Sequence, residues 1–291
     1  MTPYRQINTA RELIDFTENL VRNNIKTIAM DFEEESNLHV YGEHLCLVQI
    51  FDGTEYSIID AVVLREDPNG RDALKYFLES SVEKIMFDCS SDAAIVRKTM
   101  KIQLKNIWDI RIPAMVLGFE GNLNALIERN LHIQAENPEL KKKYQRTNWI
   151  KRPLSEEQKE YALGDVRYLF DLKKSLDEEI KNLDVQSQNK VKSLMRSCAS
   201  QKHKEKPGWE KICNYRALNR QQKTYLRHFF TMRDILARNE NVPPTNILEK
   251  QILVAMAKNG TWDGLLDSSK LKYSKYFEQA RLNALVELNR Q

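Results

Sequence analysis

Thr27-Ile28-Ala29-Met30-Asp31-Phe32-Glu33 is the stretch whose reading decides the fold: an apolar run of strand length that closes on two carboxylates. Side chains two apart in a strand point to the same face, so Asp31 and Glu33 can both reach one ion from one strand end. Two more stretches join it further along the chain. Asp92 follows the apolar run Ile85-Met86-Phe87, and Tyr161-Ala162-Leu163-Gly164-Asp165 lies inside a helical pattern. Residues four apart on a helix are neighbours, which puts Tyr161 and Asp165 on one face. Two like charges about 4 Å apart repel by several kcal/mol at the effective dielectric of a protein surface. Four converging carboxylates therefore need protons or cations. All-oxygen ligands suit Mg²⁺ or Mn²⁺ rather than zinc, and paired hard metals about 4 Å apart recur in displacement reactions at phosphorus.

The rest of the first half alternates strand and helix signals. Thr9 with Glu12 reads as a capping box that opens a helix through Leu13, Ile14, Phe16 and Leu20. Strand-like runs follow at 27–33, 45–51 and 55–60, with Asp52-Gly53 as the turn between the last two. A helix near 71–79, a strand near 83–88, a helix near 92–100 and a short strand at 106–109 come next. Helical patterns then dominate. Gly121-Asn122 separates two of them, and Ser155 with Gln158 caps the helix that carries Tyr161 and Asp165. The expected class is α/β, a mixed sheet of about five strands flanked by helices.

In order and surroundings these motifs resemble the DEDD-type 3′→5′ exonucleases with a tyrosine in the third motif, and more narrowly the bacterial ribonuclease D family. His44-Leu45-Cys46-Leu47-Val48-Gln49-Ile50-Phe51-Asp52-Gly53 and Ile58-Ile59-Asp60 resemble that family's second and third strands. Trp149, Arg152-Pro153-Leu154-Ser155 and Gln158 match the run into its third motif, and the likeness covers roughly residues 1 to 180. It implies the ribonuclease H-like exonuclease fold, with Asp31, Glu33, Asp92, Tyr161 and Asp165 as catalytic residues. It also implies two divalent ions, Mg²⁺ or Mn²⁺, held by Asp31, Glu33, Asp92 and Asp165. One ion would activate the attacking water and the other would stabilise the leaving 3′ oxygen. A tyrosine ordinarily ionises near pH 10, so Tyr161 is better cast as orienting the water than as a base. The sister class uses histidine there, and none of the five histidines lies in this helix.

The second motif departs from the family. It reads Lys84-Ile85-Met86-Phe87-Asp88-Cys89-Ser90-Ser91-Asp92, so Asp88 is a rival to Asp92, which stands at the start of a helical pattern where the family keeps its ligand. Asp109 matches a common family aspartate and reads as a structural cap. For substrate, Gln49, Lys143 and Arg146 are the candidates. Gln49 lies on an otherwise apolar strand; Lys141-Lys142-Lys143 and Arg146 precede Trp149 and suit a phosphate backbone.

With 42% apolar and 30% charged residues over 291 positions, the chain reads as a soluble globular protein of two domains. The N-terminal residues have no apolar signal core and no run suits a membrane span, so the expected location is cytoplasmic. The four cysteines are widely spaced and read as reduced thiols. Residues 201–291 carry 17 Lys+Arg against 9 Asp+Glu, which is +8 and leaves −4 for the preceding 200 residues. A basic half suits a polyanion. The expected boundaries are 1–180 for the exonuclease domain, 181–206 for a helical extension and linker, and 207–291 for a small helical nucleic-acid-binding domain. Pro243-Pro244-Thr245-Asn246-Ile247-Leu248 and the helix after it resemble the HRDC module, with room for one copy; Trp209, Tyr215 and Tyr225 are its candidates for base stacking. The expected partner is RNA with a free 3′ end, such as a tRNA or other structured precursor, with no membrane involved. The alternatives are a DNA 3′→5′ exonuclease and a catalytically silent RNA- or DNA-binding module.

Overall fold

Six strands among the described residues form one sheet: β1 (Tyr4–Ile7), β2 (Thr27–Ser36), β3 (Glu43–Phe51), β4 (Tyr56–Asp60), β5 (Glu83–Met86) and β6 (Ile107–Asp109). The structure is a computed structural model that describes residues 2–134, 143–198 and 206–290. The strand order is β1-β4-β3-β2-β5-β6. β4 runs antiparallel to β3 and parallel to β1, while β5 runs parallel to both β2 and β6. The mixed sheet is therefore as expected, with β1 as an extra strand. Its four residues, Tyr4-Arg5-Gln6-Ile7, are too short and too mixed in polarity to announce a strand, and pairing with β4 in the register Tyr4 with Tyr56 holds them extended.

Local signals set the flanking elements. Thr9 and Glu12 do form a capping box on the helix Ala10–Arg22, whose buried face is Leu13, Phe16, Thr17 and Leu20. The β3–β4 turn is fixed by Asp52, whose backbone N–H donates to Glu55 O at 3.1 Å and whose carboxylate accepts from the N–H groups of Thr54 and Glu55. Gly53 sits there at φ 99°, a conformation that L side chains rarely adopt.

Alternation along β2 divides the core in two. Ile28, Met30 and Phe32 enter one apolar cluster with the helices Ala10–Arg22, Gly70–Leu78 and Ser90–Met100. Ala29 belongs to a second cluster on the opposite face, with Ile85 and the helices Arg111–Val116, Leu123–Leu131 and Leu169–Lys181. Asp31 and Glu33 share the parity of Ala29 and so point to that second face.

The chain divides into two compact units, Met1–Glu35 with Glu43–Gln201, and Ser36–Gly42 with Lys202–Gln291. The stretch expected as an extension supplies the helix Val185–Ser197, which packs within the first unit on the helix Arg111–Val116 and on β6. The second unit is helical, with Arg220–Glu240, Lys250–Asn259 and Ser274–Asn289 around a core that includes Leu226, Phe229, Leu253, Met256 and Phe277. No helix among the described residues is long and apolar enough to cross a membrane.

Candidate metal centre

β2 brings Asp31 and Glu33 together, and the helix Glu156–Gly164 brings the third carboxylate to them. Asp31, Glu33 and Asp165 each offer an oxygen, and these oxygens all lie within 4.8 Å of one another. All three residues are half-buried. The helix is placed by its ends. Ser155 and Gln158 form the expected capping box at one end, and Asp165 is the C-cap residue at the other. Between them Ala162 and Leu163 are fully buried in a cluster with Cys46, Leu47, Tyr144 and Trp149, so the helix lies against β3. Tyr161 is wedged into an aromatic stack, its ring centroid 5.2 Å from that of Tyr144 and 6.3 Å from that of Trp149.

The loop before this helix is latched to β4. Arg152 donates from Nε and Nη2 to the two oxygens of Asp60, each at 2.6 Å, and from Nη1 to the Trp149 carbonyl, also at 2.6 Å. A bidentate guanidinium–carboxylate pair of this kind fixes orientation as well as distance. This accounts physically for two stretches that carried the resemblance, Ile58-Ile59-Asp60 and Arg152-Pro153-Leu154. They clamp the helix of Tyr161 and Asp165 to the sheet.

Asp92 and Asp88 behave differently. Asp92 lies in the first turn of the helix Ser90–Met100 and is 8% exposed. Its carboxyl is held well above the usual carboxylate range, first by burial and then by the charges of Asp31 and Glu34. Asp88 is at φ 58°, and its carboxylate pairs with Arg111 at 3.3 Å and accepts from the Ser90 hydroxyl. Asp92 is thus within electrostatic reach of the β2 carboxylates, although it is outside the set of three oxygens that meet. Asp109 fixes the turn between these rivals, accepting backbone N–H groups from Asp88 at 2.9 Å, Cys89 at 3.0 Å and Arg111 at 2.9 Å.

The electrostatics of the cluster are those of carboxylates in mutual repulsion. The Glu33 carboxyl is raised well above its ordinary range by burial, with repulsion from Asp31, Asp165 and Asp92 following in that order. Glu34 is raised to about 7 by burial and by Glu43, and its Oε1 is buried with no hydrogen-bond partner. Glu34 escaped the sequence reading. Its signal was the unbroken run Glu33-Glu34-Glu35, in which alternation sends the middle carboxylate to the other face of the strand from Glu33.

The candidate substrate residues are scattered. Gln49 is fully buried on β3, and neither atom of its amide has a hydrogen-bond partner. Lys143 is exposed and lies 4.9 Å from the ring centroid of Tyr144, the ring that packs on Tyr161. Arg146 is exposed. Lys141 and Lys142, like Lys202-His203-Lys204-Glu205 of the expected linker, lie outside the described residues.

A family profile described as 3′-5′ exonuclease matches residues 4–181. That is more than half of the chain, and the chain belongs to this family. Among curated proteins it is similar to ribonuclease D of Desulfotalea psychrophila, 28% identical over 221 residues that are 75% of this chain and 57% of the relative. It is also similar to ribonuclease D of Nitrobacter hamburgensis, 31% identical over 60% of this chain and 44% of the relative. The resemblance to bacterial ribonuclease D is borne out, with the chain spanning about half the length of these two relatives. Solved structures share the fold. The catalytic core of RRP6 from Trypanosoma brucei matches with TM-score 0.76 at 19% identity, covering 99% of this chain and 81% of that one. Escherichia coli RNase D matches with TM-score 0.73 at 23% identity, covering 98% and 76%. Brucella melitensis NrnC with bound Mg²⁺ matches with TM-score 0.53 at 21% identity, covering 69% and 91%.

Proposed function

We propose that this chain is a 3′→5′ exoribonuclease of the ribonuclease D type that requires divalent metal. The observation that carries this reading is the meeting of Asp31, Glu33 and Asp165, whose oxygens lie within 4.8 Å of one another beside a buried Asp92. The donor set is all carboxylate oxygen, which fits Mg²⁺ or Mn²⁺ and not a soft metal. The upward shift of Glu33 and Asp92 fits too, because repelling buried carboxylates are what a cation relieves. Asp31, Glu33, Asp92 and Asp165 would share two such ions. Bound there, the ions supply Lewis acidity at the attacking water and at the leaving oxygen.

The chain's own residues supply the rest. The aromatic stack fixes the Tyr161 ring, so its hydroxyl is held to orient the water rather than to take a proton. Water attacks the terminal phosphorus, the bond to the penultimate nucleotide's 3′ oxygen breaks, and a 5′-mononucleotide leaves. The Arg152–Asp60 clamp keeps Tyr161 and Asp165 in register with β2. Lys143 and Arg146 are assigned to the phosphate backbone; both are exposed and precede Trp149 in sequence, and Lys143 lies over the ring of Tyr144, which packs on Tyr161. The substrate class is RNA with a free 3′ end, with tRNA and other stable precursors implied by the resemblance of the motifs to the ribonuclease D family. The basic second unit is assigned the HRDC-like role of holding structured RNA, over residues 207–291, and a cytoplasmic location belongs to the same reading.

The test uses 5′-labelled RNA and DNA of one sequence, incubated with Mn²⁺, Mg²⁺ or EDTA. A descending 3′ ladder on RNA that needs metal and disappears in Asp31→Ala supports the reading. Degradation in EDTA, or by Asp165→Ala at the wild-type rate, overturns it. Faster loss of DNA than RNA assigns the site to a DNA exonuclease instead.

A further inference from the structure

Three groups beside the carboxylate site are left unused by the chemistry above. Cys89 is fully buried and immediately precedes the helix Ser90–Met100. Cys198 immediately follows the helix Val185–Ser197, is half-buried, and packs against the apolar cluster that contains Cys89. The Cys89 thiol lies against the Cys198 sulfur, and the Cys198 Sγ donates to the Met195 carbonyl at 3.1 Å. On its other side the Cys89 thiol is hydrogen-bonded to the Asp109 carboxylate. Cys198 lines a cleft of about 610 Å³ together with Lys105, Lys192 and Arg196.

The three groups differ in what they can do. Cys89 is shielded from solvent, and its thiol is held strongly protonated by the contact with Cys198, by burial and by the charge of Asp109. It is not the sulfur that meets an oxidant. Cys198 is half-buried and faces the cleft, so it is the sulfur of the pair that an oxidant can reach. Asp109 is raised by burial, which brings a carboxylate closer to the basicity needed to take a thiol proton.

We propose that Cys89 and Cys198 form an oxidisable dithiol site, in which a hydroperoxide oxidises Cys198 and Cys89 closes an intrachain disulfide with Asp109 as proton acceptor. In the first step the Cys198 thiolate attacks the peroxide. An S–O bond forms, the O–O bond breaks, and the distal oxygen leaves as hydroxide or alkoxide and is protonated. In the second step the Cys89 sulfur attacks the sulfenic sulfur as its proton passes to Asp109. The S–S bond forms, the S–O bond breaks, and hydroxide leaves and recovers that proton as water. Two thiols lose two electrons and the peroxide gains them. The bond ties the end of the helix Val185–Ser197 to the residue that opens the helix of Asp92.

The test treats the reduced 291-residue chain with hydrogen peroxide, counts thiols, and maps peptides by mass spectrometry without reductant. The site predicts loss of two of the four thiols, a Cys89–Cys198 linked peptide, and full reversal by dithiothreitol. In Cys89→Ser, Cys198 should stop as a sulfenic acid that dimedone traps. In Asp109→Asn that trapped species should accumulate, with cross-linking slowed about tenfold. Cross-links to Cys46 or Cys213, or passage of wild-type Cys198 to sulfinic acid without a cross-link, overturn the proposal. None of these readouts depends on nuclease activity.

Discussion

Asp60 and Asp109 are buried carboxylates whose hydrogen bonds are made, whereas the half-buried Glu33 and the buried Asp92 carry carboxyls that repel their neighbours. Asp60, with its side chain 3% exposed, accepts a bidentate guanidinium at 2.6 Å, and Asp109 accepts three backbone N–H groups. Glu33 and Asp92 are pushed well up by burial and by one another's neighbours, and Glu34 beside them keeps a buried oxygen without a partner. A buried carboxylate that is paired supports structure, and one left facing other carboxylates costs stability unless a proton or cation is supplied. The first set therefore positions elements. The second is the set assigned above to a bound cation.

Substitutions should separate the two sets. The largest effect is expected for Asp31→Ala, which should lower metal-dependent hydrolysis of labelled RNA by about three orders of magnitude or more, since a proposed metal ligand is removed. Its melting temperature in EDTA should not fall, because repulsion is relieved. Arg152→Ala should do the reverse, costing about 3 kcal/mol in urea unfolding by leaving Asp60 buried without its partner. Tyr161→Phe should slow turnover by about two orders of magnitude, the usual scale for a positioned proton-handling group, with Mn²⁺ affinity unchanged. Equal rates in the two proteins would strip Tyr161 of its role.

Smaller effects follow from protonation and from Gln49. Raised folded-state pKa values mean that Glu33, Glu34 and Asp92 favour the folded chain most below their unfolded values, near 4 to 4.5. That contribution is lost as pH rises through the folded values, which for Glu34 is about 7. The melting temperature of EDTA-treated protein should accordingly fall as pH rises above about 4.5, and an Asp31→Asn, Asp165→Asn variant, in which repulsion on Glu33 and Asp92 is relieved, should show a shallower fall. Gln49→Met should leave stability unchanged or raise it by about 1 kcal/mol, because an unpaired buried amide is removed. A large loss of stability would show that the amide is paired after all.

Much of this contrast was legible in the sequence, because both sets depend on short-range periodicity. The two-residue spacing of Asp31 and Glu33 and the four-residue spacing of Tyr161 and Asp165 convert directly into shared faces once β2 and the helix Glu156–Gly164 exist. The capping boxes at Thr9 and Ser155 likewise act within one turn and formed as read. What stayed hidden depends on contacts far apart in sequence. Arg152 reaches Asp60 across 92 positions, and Cys89 meets Cys198 across the whole middle of the first unit. β1 is held extended by a partner strand about 50 positions away. Glu34 was hidden for another reason: its neighbours Asp31 and Glu33 already explained the acidic run.

The central claim is that the clustered carboxylates form a divalent-metal site, and thermal unfolding at pH 7 with and without Mn²⁺ tests it most directly. In the wild-type protein Mn²⁺ should raise the melting temperature by several degrees over the EDTA value, in the manner of any ligand that binds only the folded chain. In Asp31→Asn and Asp165→Asn that rise should vanish. An equal rise in wild-type and variants would place the metal elsewhere and contradict the account.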